Sequence, residues 1–243
     1  MVKSNKIFTF VQARLGSKRF KKKVLKKIFG KPLIKILLDR LKYSRMSKKI
    51  IVLIPSNNQN DQLFNLIKKI KYSVFRGSEN DVLDRFYKAA IYHNADAVIR
   101  ITADCPLIDP AIIDKAVKLF RKKKVDYLSN VRPPTFPDGL DVEIFTFDSL
   151  KYAWKNAKTK YDREHVTPFI VRSKKFKTFN LSNNIDYSKE RFTVDKKEDF
   201  VLIKNIIKKF HPNTRFRWKK IIALKKKDSE MFKINSYIKR KIN

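Results

Sequence analysis

An apolar run, Ile7-Phe8-Thr9-Phe10-Val11, breaks off at Gln12-Ala13-Arg14-Leu15-Gly16-Ser17 and passes into a cluster of cations, and this stretch limits what the chain can fold into more than any other. The run is β-branched and aromatic and too short for a stable helix, so it reads as a strand. Gly16-Ser17 supplies flexible backbone where the apolar pattern stops, with Arg14, Lys18, Arg19 and Lys23 placing positive charge around it. Backbone N–H groups with nearby cations are what a polyphosphate needs, because each phosphate oxygen exchanges its water shell for N–H donors and charge-assisted bonds. Triphosphate is the first ligand this implies. An ordinary strand-to-helix turn in a lysine-rich chain fits the same residues.

The alternation continues downstream. Residues 32–46 carry Leu33, Ile34, Leu37, Leu38 and Leu41 at helical spacing behind Pro32, which suits a first helical turn. Strand-like runs at 49–54, 72–75 and 97–102 alternate with helical patterns at 61–70, 81–93 and 110–122, the signature of an α/β fold with a largely parallel sheet. A chain of 243 residues can bury roughly 70–75% of its unfolded surface around one core. The expected division is a main domain over 1–210 and a basic C-terminal extension over 211–243, helical or arm-like, in which no chemistry is evident. No uncharged apolar run of membrane-spanning length and no separate apolar leader is present, which points to a soluble, cytoplasmic chain. The single cysteine, Cys105, excludes an intrachain disulfide and a cysteine-based zinc cluster.

The formal charge of +35 suggests nucleic acid or another anionic surface when taken alone. Of the 58 basic residues, however, 15 are arginine and the remaining 43 lysines are scattered through nearly every helical segment, which is a bias of the whole chain and not a patch. The nearest basic and aromatic cluster, from Lys208 to Lys220, is weak, so nucleic acid is not the expected main partner. Only four glycines occur, Gly16, Gly30, Gly77 and Gly139, each at an expected loop where a positive φ or a close approach would explain it.

Carboxylates mark the rest of the chemistry. Asp104 falls at the carboxyl end of the 97–102 strand, where open α/β sheets bind ligands. A carboxylate facing polyphosphate needs a divalent cation between them, which makes Asp104 a metal-ligand candidate; capping the turn before Pro106 is its plainer role. Asp109 is expected to cap the helix that follows. After a loop rich in proline, 131–139, Asp141 and Glu143 alternate with apolar residues and share one face of a strand over 140–145, either binding hydroxyls of a sugar-like substrate or forming the solvent face of an edge strand. Arg163, Glu164 and His165 form a polar cluster suited to hydrogen-bonding an anionic substrate, and the scatter of the three histidines argues against zinc. Asp195 ends a short strand, 191–195, as Asp104 does, so the two aspartates together are candidates to hold magnesium over the phosphates.

Taken together, the blocks Gln12-Ala13-Arg14-Leu15-Gly16-Ser17, Gly30-Lys31-Pro32-Leu33, Phe75-Arg76-Gly77-Ser78-Glu79-Asn80-Asp81, Arg100-Ile101-Thr102-Ala103-Asp104-Cys105-Pro106, Pro137-Asp138-Gly139-Leu140-Asp141-Val142-Glu143, Arg163-Glu164-His165-Val166-Thr167-Pro168 and Thr193-Val194-Asp195 resemble the spore coat polysaccharide biosynthesis protein F family. That family is related to the cytidylyltransferases that activate sialic-acid-like and other ulosonic acids, and the resemblance spans about residues 6–210. It implies a Rossmann-like, three-layer nucleotide-diphospho-sugar transferase fold with a mainly parallel mixed sheet. It also implies magnesium-dependent transfer of a nucleotidyl group, usually cytidylyl from CTP, to an anionic sugar-like acceptor. By position, Gln12, Ala13, Arg14, Gly16, Ser17 and Lys23 would hold the nucleotide, with Arg76, Gly77 and Ser78 near its base. Asp104 and Asp195 would hold Mg2+. Asp138, Asp141, Glu143, Arg163, Glu164 and His165 would face the acceptor. The catalytic set would be Arg14, Lys23, Asp104 and Asp195. One departure stands out: Lys21-Lys22 precede Lys23 where the family has Pro-Gly. A non-catalytic nucleotide- or sugar-binding relative is the alternative, and monomer or homodimer stays open.

Overall fold

Side chains that alternate along each strand dictate a sheet covered on both faces. In a computed structural model the described residues are 6–17, 19–47 and 49–240; Lys18, one of the expected loop cations, lies outside them. The chain runs β1 (Ile7–Gln12), the short strands β2 (Lys27–Ile28) and β3 (Lys31–Pro32), α1 (Leu33–Leu41), β4 (Ile50–Pro55), α2 (Asp61–Lys69), β5 (Ser73–Gly77), α3 (Val82–Tyr92), β6 (Ala97–Thr102) and α4 (Pro110–Lys123). It continues through β7 (Tyr127–Ser129), β8 (Glu143–Thr146), α5 (Phe147–Asn156), α6 (Lys160–His165), α7 (Pro168–Arg172), β9 (Thr178–Asn180), α8 (Lys197–Phe210), α9 (Trp218–Lys227) and α10 (Ser229–Lys233).

Seven strands form one sheet in the order β5-β4-β1-β6-β8-β7-β9, with β2 and β3 as a separate hairpin. Neighbours are parallel except at β8, which is antiparallel to both β6 and β7. The period of two sorts the core. Ile7 and Val11 of β1, Val52 and Ile54 of β4, and Ile99 and Ile101 of β6 pack on one face against Leu37, Ile113, Ile203 and Ile221 from α1, α4, α8 and α9. Phe8 and Phe10, Ile51 and Leu53, and Val98 face the other way, against Phe86 of α3, Leu150 of α5 and Ile170 of α7. The result is the mainly parallel, three-layer α/β architecture expected from the sequence. At roughly 1.5–3 kcal/mol for each fully buried large apolar side chain, these two layers carry most of the stability.

Three expected elements differ. The helix beginning at Pro32 ends at Leu41 and not Met46, because the Ser44 hydroxyl and Asp114 take up the amides of Arg45, Met46 and Ser47. The strand expected over 140–145 starts only at Glu143, and it lies between β6 and β7, so it is no edge strand. Residues 191–195 make no sheet strand. They are tied instead by backbone bonds from Phe192 to Asp138 and from Val194 to Asp104, at 2.7 and 2.8 Å. Gly139 permits that close approach: its φ is +98°, and a Cβ there would stand 2.5 Å from the Thr193 nitrogen.

The C-terminal residues join the same core. Trp218, Ile221 and Phe232 are buried with it, and Asn235 donates to Asp199 at 2.9 Å.

Candidate active site

The carboxyl ends of β1 and β6, the start of β8 and the 191–195 segment surround one cleft of about 1010 Å³. After β1 the ladder to β4 makes its last bond at Ala13, and the amides beyond it turn away from the sheet. Ala13 donates to the Leu53 carbonyl at 3.0 Å, Leu15 to the Asn60 side chain at 2.9 Å, and Ser17 to the Leu15 carbonyl at 2.9 Å. The amides of Arg14 and Gly16 keep no protein acceptor among the described residues, and Gln12, Ala13, Arg14, Gly16 and Ser17 all line the cleft. At Lys21-Lys22 the chain still turns: Lys22 takes the left-handed conformation, φ 53°, that a glycine would adopt freely, and Lys23 opens a single 3-10 turn.

Lys23 is the centre of the cleft. It is 9% exposed, and its Nζ donates to Asp104 at 2.8 Å and to Asp195 at 2.7 Å. Burial works against its charge, yet the two carboxylates outweigh burial and raise its pKa. Burial alone would likewise raise Asp104, but the Lys23 ammonium and its hydrogen bond bring the carboxyl down to about 2. Asp195 also meets Arg19 at 2.9 Å and Arg191 at 3.7 Å. Its backbone is fixed from below, since Asp199 accepts from the amides of Asp195 and Lys196 at 2.9 and 3.0 Å while gripping Arg191 through two bonds of 2.9 Å. Arg191 reaches on to Asp138 at 2.6 Å.

The opposite wall is built on Glu143, whose side chain is 8% exposed. It is paired with Arg100 and accepts from the Tyr127 hydroxyl at 2.7 Å and the Thr167 hydroxyl at 2.6 Å. Burial pushes its pKa up, and Arg100 with the two hydroxyls brings it below the usual range. Neither expectation for Glu143 holds in full: it lines the cleft, but these partners already engage both oxygens, so its first task is to hold Arg100 in place. Arg100 also donates to Gln12 at 3.2 Å. Asp141 instead pairs with Arg240 at 2.8 Å, and burial pushes its carboxyl up to about 7 against that pair. Asp138, Glu164 and His165 line the same wall, with burial lowering the His165 pKa.

Four expected site residues fall outside the cleft. Arg163 grips Asp81 at 2.9 Å and the Trp154 carbonyl at 2.7 Å, tying α6 to α3 and α5. Arg76 pairs with Asp61 at 2.7 Å and donates to the Ser56 and Asn57 carbonyls. Gly77 packs where a Cβ would stand 2.9 Å from Arg85 Cγ, and the Ser78 hydroxyl accepts from the Asp81 amide at 3.1 Å. Arg76, Gly77 and Ser78 thus shape the turn that delivers Glu79 and Asn80, which do line the cleft. Sequence reasoning missed Arg100, Arg132, Arg191 and Arg240 as cleft residues. Arg100 and Arg132 each carry a buried Nε–H without an acceptor, donors that an anionic ligand would satisfy.

Charge balance bears on a metal. Eight basic and seven acidic side chains line the cleft, a nearly neutral site in a chain of net +35. Such a site cannot by itself offset a triphosphate, and the carboxylates of Asp104 and Asp195 already converge on one cation, the Lys23 ammonium. These are hard oxygen donors of the kind magnesium takes, and among the described residues no third His, Cys, Asp or Glu joins them. Two carboxylates that leave the other positions to phosphate oxygens and water suit that ion.

The sheet order and layering are those of the nucleotide-diphospho-sugar transferase fold. A family model described as Cytidylyltransferase matches residues 8–238, and the chain belongs to that family. It is 41% identical over 240 residues to an uncharacterised protein of Methanocaldococcus jannaschii, covering 97% of each chain. It is 30% identical over 216 residues to the spore coat polysaccharide biosynthesis protein SpsF of Bacillus subtilis, covering 84% of this chain and 88% of that one. Among solved structures, a cytidylyltransferase from Leptospira borgpetersenii superposes with a TM-score of 0.89 at 35% identity, covering 93% of this chain and 96% of that chain. A CMP:2-keto-3-deoxy-manno-octonic acid synthetase complexed with CTP shares the fold alone, with a TM-score of 0.65 at 14% identity, covering 84% of this chain and 99% of the synthetase. The chain is therefore a nucleotidyltransferase by family, and no helix among its described residues is long and apolar enough to cross a membrane.

Proposed function

We propose that this cleft transfers the cytidylyl group of CTP to an anionic, sugar-like acceptor, with magnesium as cofactor and pyrophosphate as the second product. The observation that carries the reading is Lys23 suspended between Asp104 and Asp195 directly beside the loop of Arg14, Gly16 and Ser17. Magnesium held by Asp104 and Asp195 would supply charge neutralisation at the phosphates. The free amides of Arg14 and Gly16, the Ser17 hydroxyl and the Arg14, Arg19 and Lys23 side chains bind and orient the triphosphate. The acceptor oxygen bonds to the α-phosphorus as the α–β bridging bond breaks, so positioning and charge stabilisation account for most of the rate. Arg100 and Arg132, with unanswered N–H groups, suit the acceptor's anionic group, and Asp138 and Asp141 suit its hydroxyls.

The spore coat polysaccharide relative supports a role in surface polysaccharide or glycan biosynthesis. The test is pyrophosphate release, measured with each nucleoside triphosphate against a panel of ulosonic and related acids. Release with CTP and one acceptor class is expected. Binding of triphosphate without release across the panel would favour a non-catalytic relative.

A further inference from the structure

On the side of the molecule formed by α1, the start of α4 and the 211–217 segment lies a second cavity, of about 550 Å³, that shares no lining residue with the cleft. Six cations line it: Arg40, Arg45, Lys115, Lys118, Arg215 and Arg217. Four of the six are arginines, in a chain where arginine makes up 15 of 58 basic residues. Lysine suffices for a solvated surface charge, whereas arginine's planar fork fits an oxyanion through paired bonds. The single acid lining the cavity, Asp114, is already committed to the Ser44 hydroxyl at 2.6 Å and to the Arg45 and Met46 amides. Arg217 pairs with Asp109 at 3.0 Å, while Arg45, Arg215, Lys115 and Lys118 have no carboxylate partner among the described residues.

The floor strengthens the case. Arg40 is 2% exposed and donates its hydrogen bonds to the backbone carbonyls of Leu107, Ile108, Thr214 and Phe216, at 2.7 to 3.4 Å. Carbonyl dipoles hold its position, and burial pulls its pKa down to about 10 even though the nearby Asp109 carboxylate favours its charge. Two aromatic rings fix these cations, with the exposed Arg215 4.4 Å from the Tyr43 ring centre and the buried Arg40 4.6 Å from that of Phe216. A concave surface with a desolvated cation beneath Arg45 and Arg215, which have no carboxylate partner among the described residues, focuses positive potential where several oxyanion bonds are on offer.

We propose that this cavity is a second anion site, separate from the cleft, that takes the phosphate group of a phosphorylated small molecule. The N-terminus of α4 is not the anion site, since Asp109 already caps it by accepting from the Ala111 amide at 2.9 Å. The site stands independently of the reaction assigned to the cleft.

The test is a titration with inorganic phosphate at constant ionic strength, followed by amide chemical shifts so that residues 43–45, 111–118 and 214–217 are read separately from cleft residues. Saturable shifts in the first group are expected, weakened at least tenfold in Arg45→Glu/Arg215→Glu, whose side chains are exposed and whose replacement leaves the core untouched. A matched control, Lys122→Glu/Lys226→Glu, makes the same change in net charge on exposed positions elsewhere and should alter the affinity less than twofold. Shifts that never saturate, or equal weakening by both pairs, would reduce the effect to diffuse attraction by a +35 chain and overturn the proposal.

Discussion

Lys23→Met removes the one cation between Asp104 and Asp195 and keeps a side chain of similar length. The two Nζ distances, 2.8 and 2.7 Å, cap the separation of the two carboxylate oxygens at their sum, about 5.5 Å. At that distance two like charges repel by about 3 kcal/mol at an effective dielectric of 20. Both carboxylates are roughly one-quarter exposed, so about 2–3 kcal/mol is a fair range, which lowers the melting temperature of a chain this size by roughly 4–12 °C. The pH dependence fixes the cause. In the native protein Asp104 has a folded pKa of about 2, below its unfolded value, so it contributes stability above about pH 4 that is lost as the pH falls toward 2. In the variant the depressing cation is gone and repulsion lifts one folded pKa above its unfolded value. The loss should then be largest at pH 7 and shrink on acidification toward pH 4. Millimolar Mg2+ should restore part of the melting temperature of the variant and move the native protein less. Thermal unfolding between pH 4 and 7, with and without Mg2+, reads all three effects. A variant that melts within 1–2 °C of the native protein at pH 7, on that same stability scale, would refute the reasoning.

Other outcomes follow from the same contacts. Gly139→Ala should cost at least about 2–3 kcal/mol in chemical denaturation, because φ +98° and a Cβ 2.5 Å from the Thr193 nitrogen force apart the segments that position Asp138 and Asp195. Arg163→Gln should lower stability by about 1 kcal/mol and leave KM for both substrates within twofold, since its partner is Asp81 and not the cleft. Arg132→Gln should raise the acceptor KM about tenfold with the CTP KM little changed, as measured by pyrophosphate release.

Strand β1 and its glycine-serine turn could be read directly from the residues, because both are local: a β-branched run and the place where it stops. The same holds for Asp109, whose capping of α4 follows from the Pro110 beside it. Asp104 and Asp195 were legible as a pair, each at an expected strand end, and Lys23 as a phosphate-side cation, but the ion-pair bridge that Lys23 makes between them was not. Nothing in the spacing of Lys23 says that its ammonium bridges them, and that bridge spans 81 and 172 residues of chain. Arg240 was invisible for the same reason, and so was the reach of Arg191 to Asp138, since each link forms only after distant segments fold together. Arg163 misled in the opposite sense. It stands next to Glu164 and His165 in sequence, yet on a helix consecutive side chains point in different directions, and its own points back to Asp81. At Lys22, where the family has a glycine, the lysine occupies the left-handed region at modest cost because its neighbours are fixed.

The central claim is that Lys23, Asp104 and Asp195 form the centre at which the cytidylyl group is transferred. Its most direct measurement is formation of the CMP-linked acceptor from CTP by the native protein, Asp104→Asn and Asp195→Asn, with each variant's melting curve recorded beside it. Product from the native protein and none from either variant, each still cooperatively folded, is the predicted result. Near-native product formation by a folded Asp104→Asn or Asp195→Asn would contradict it.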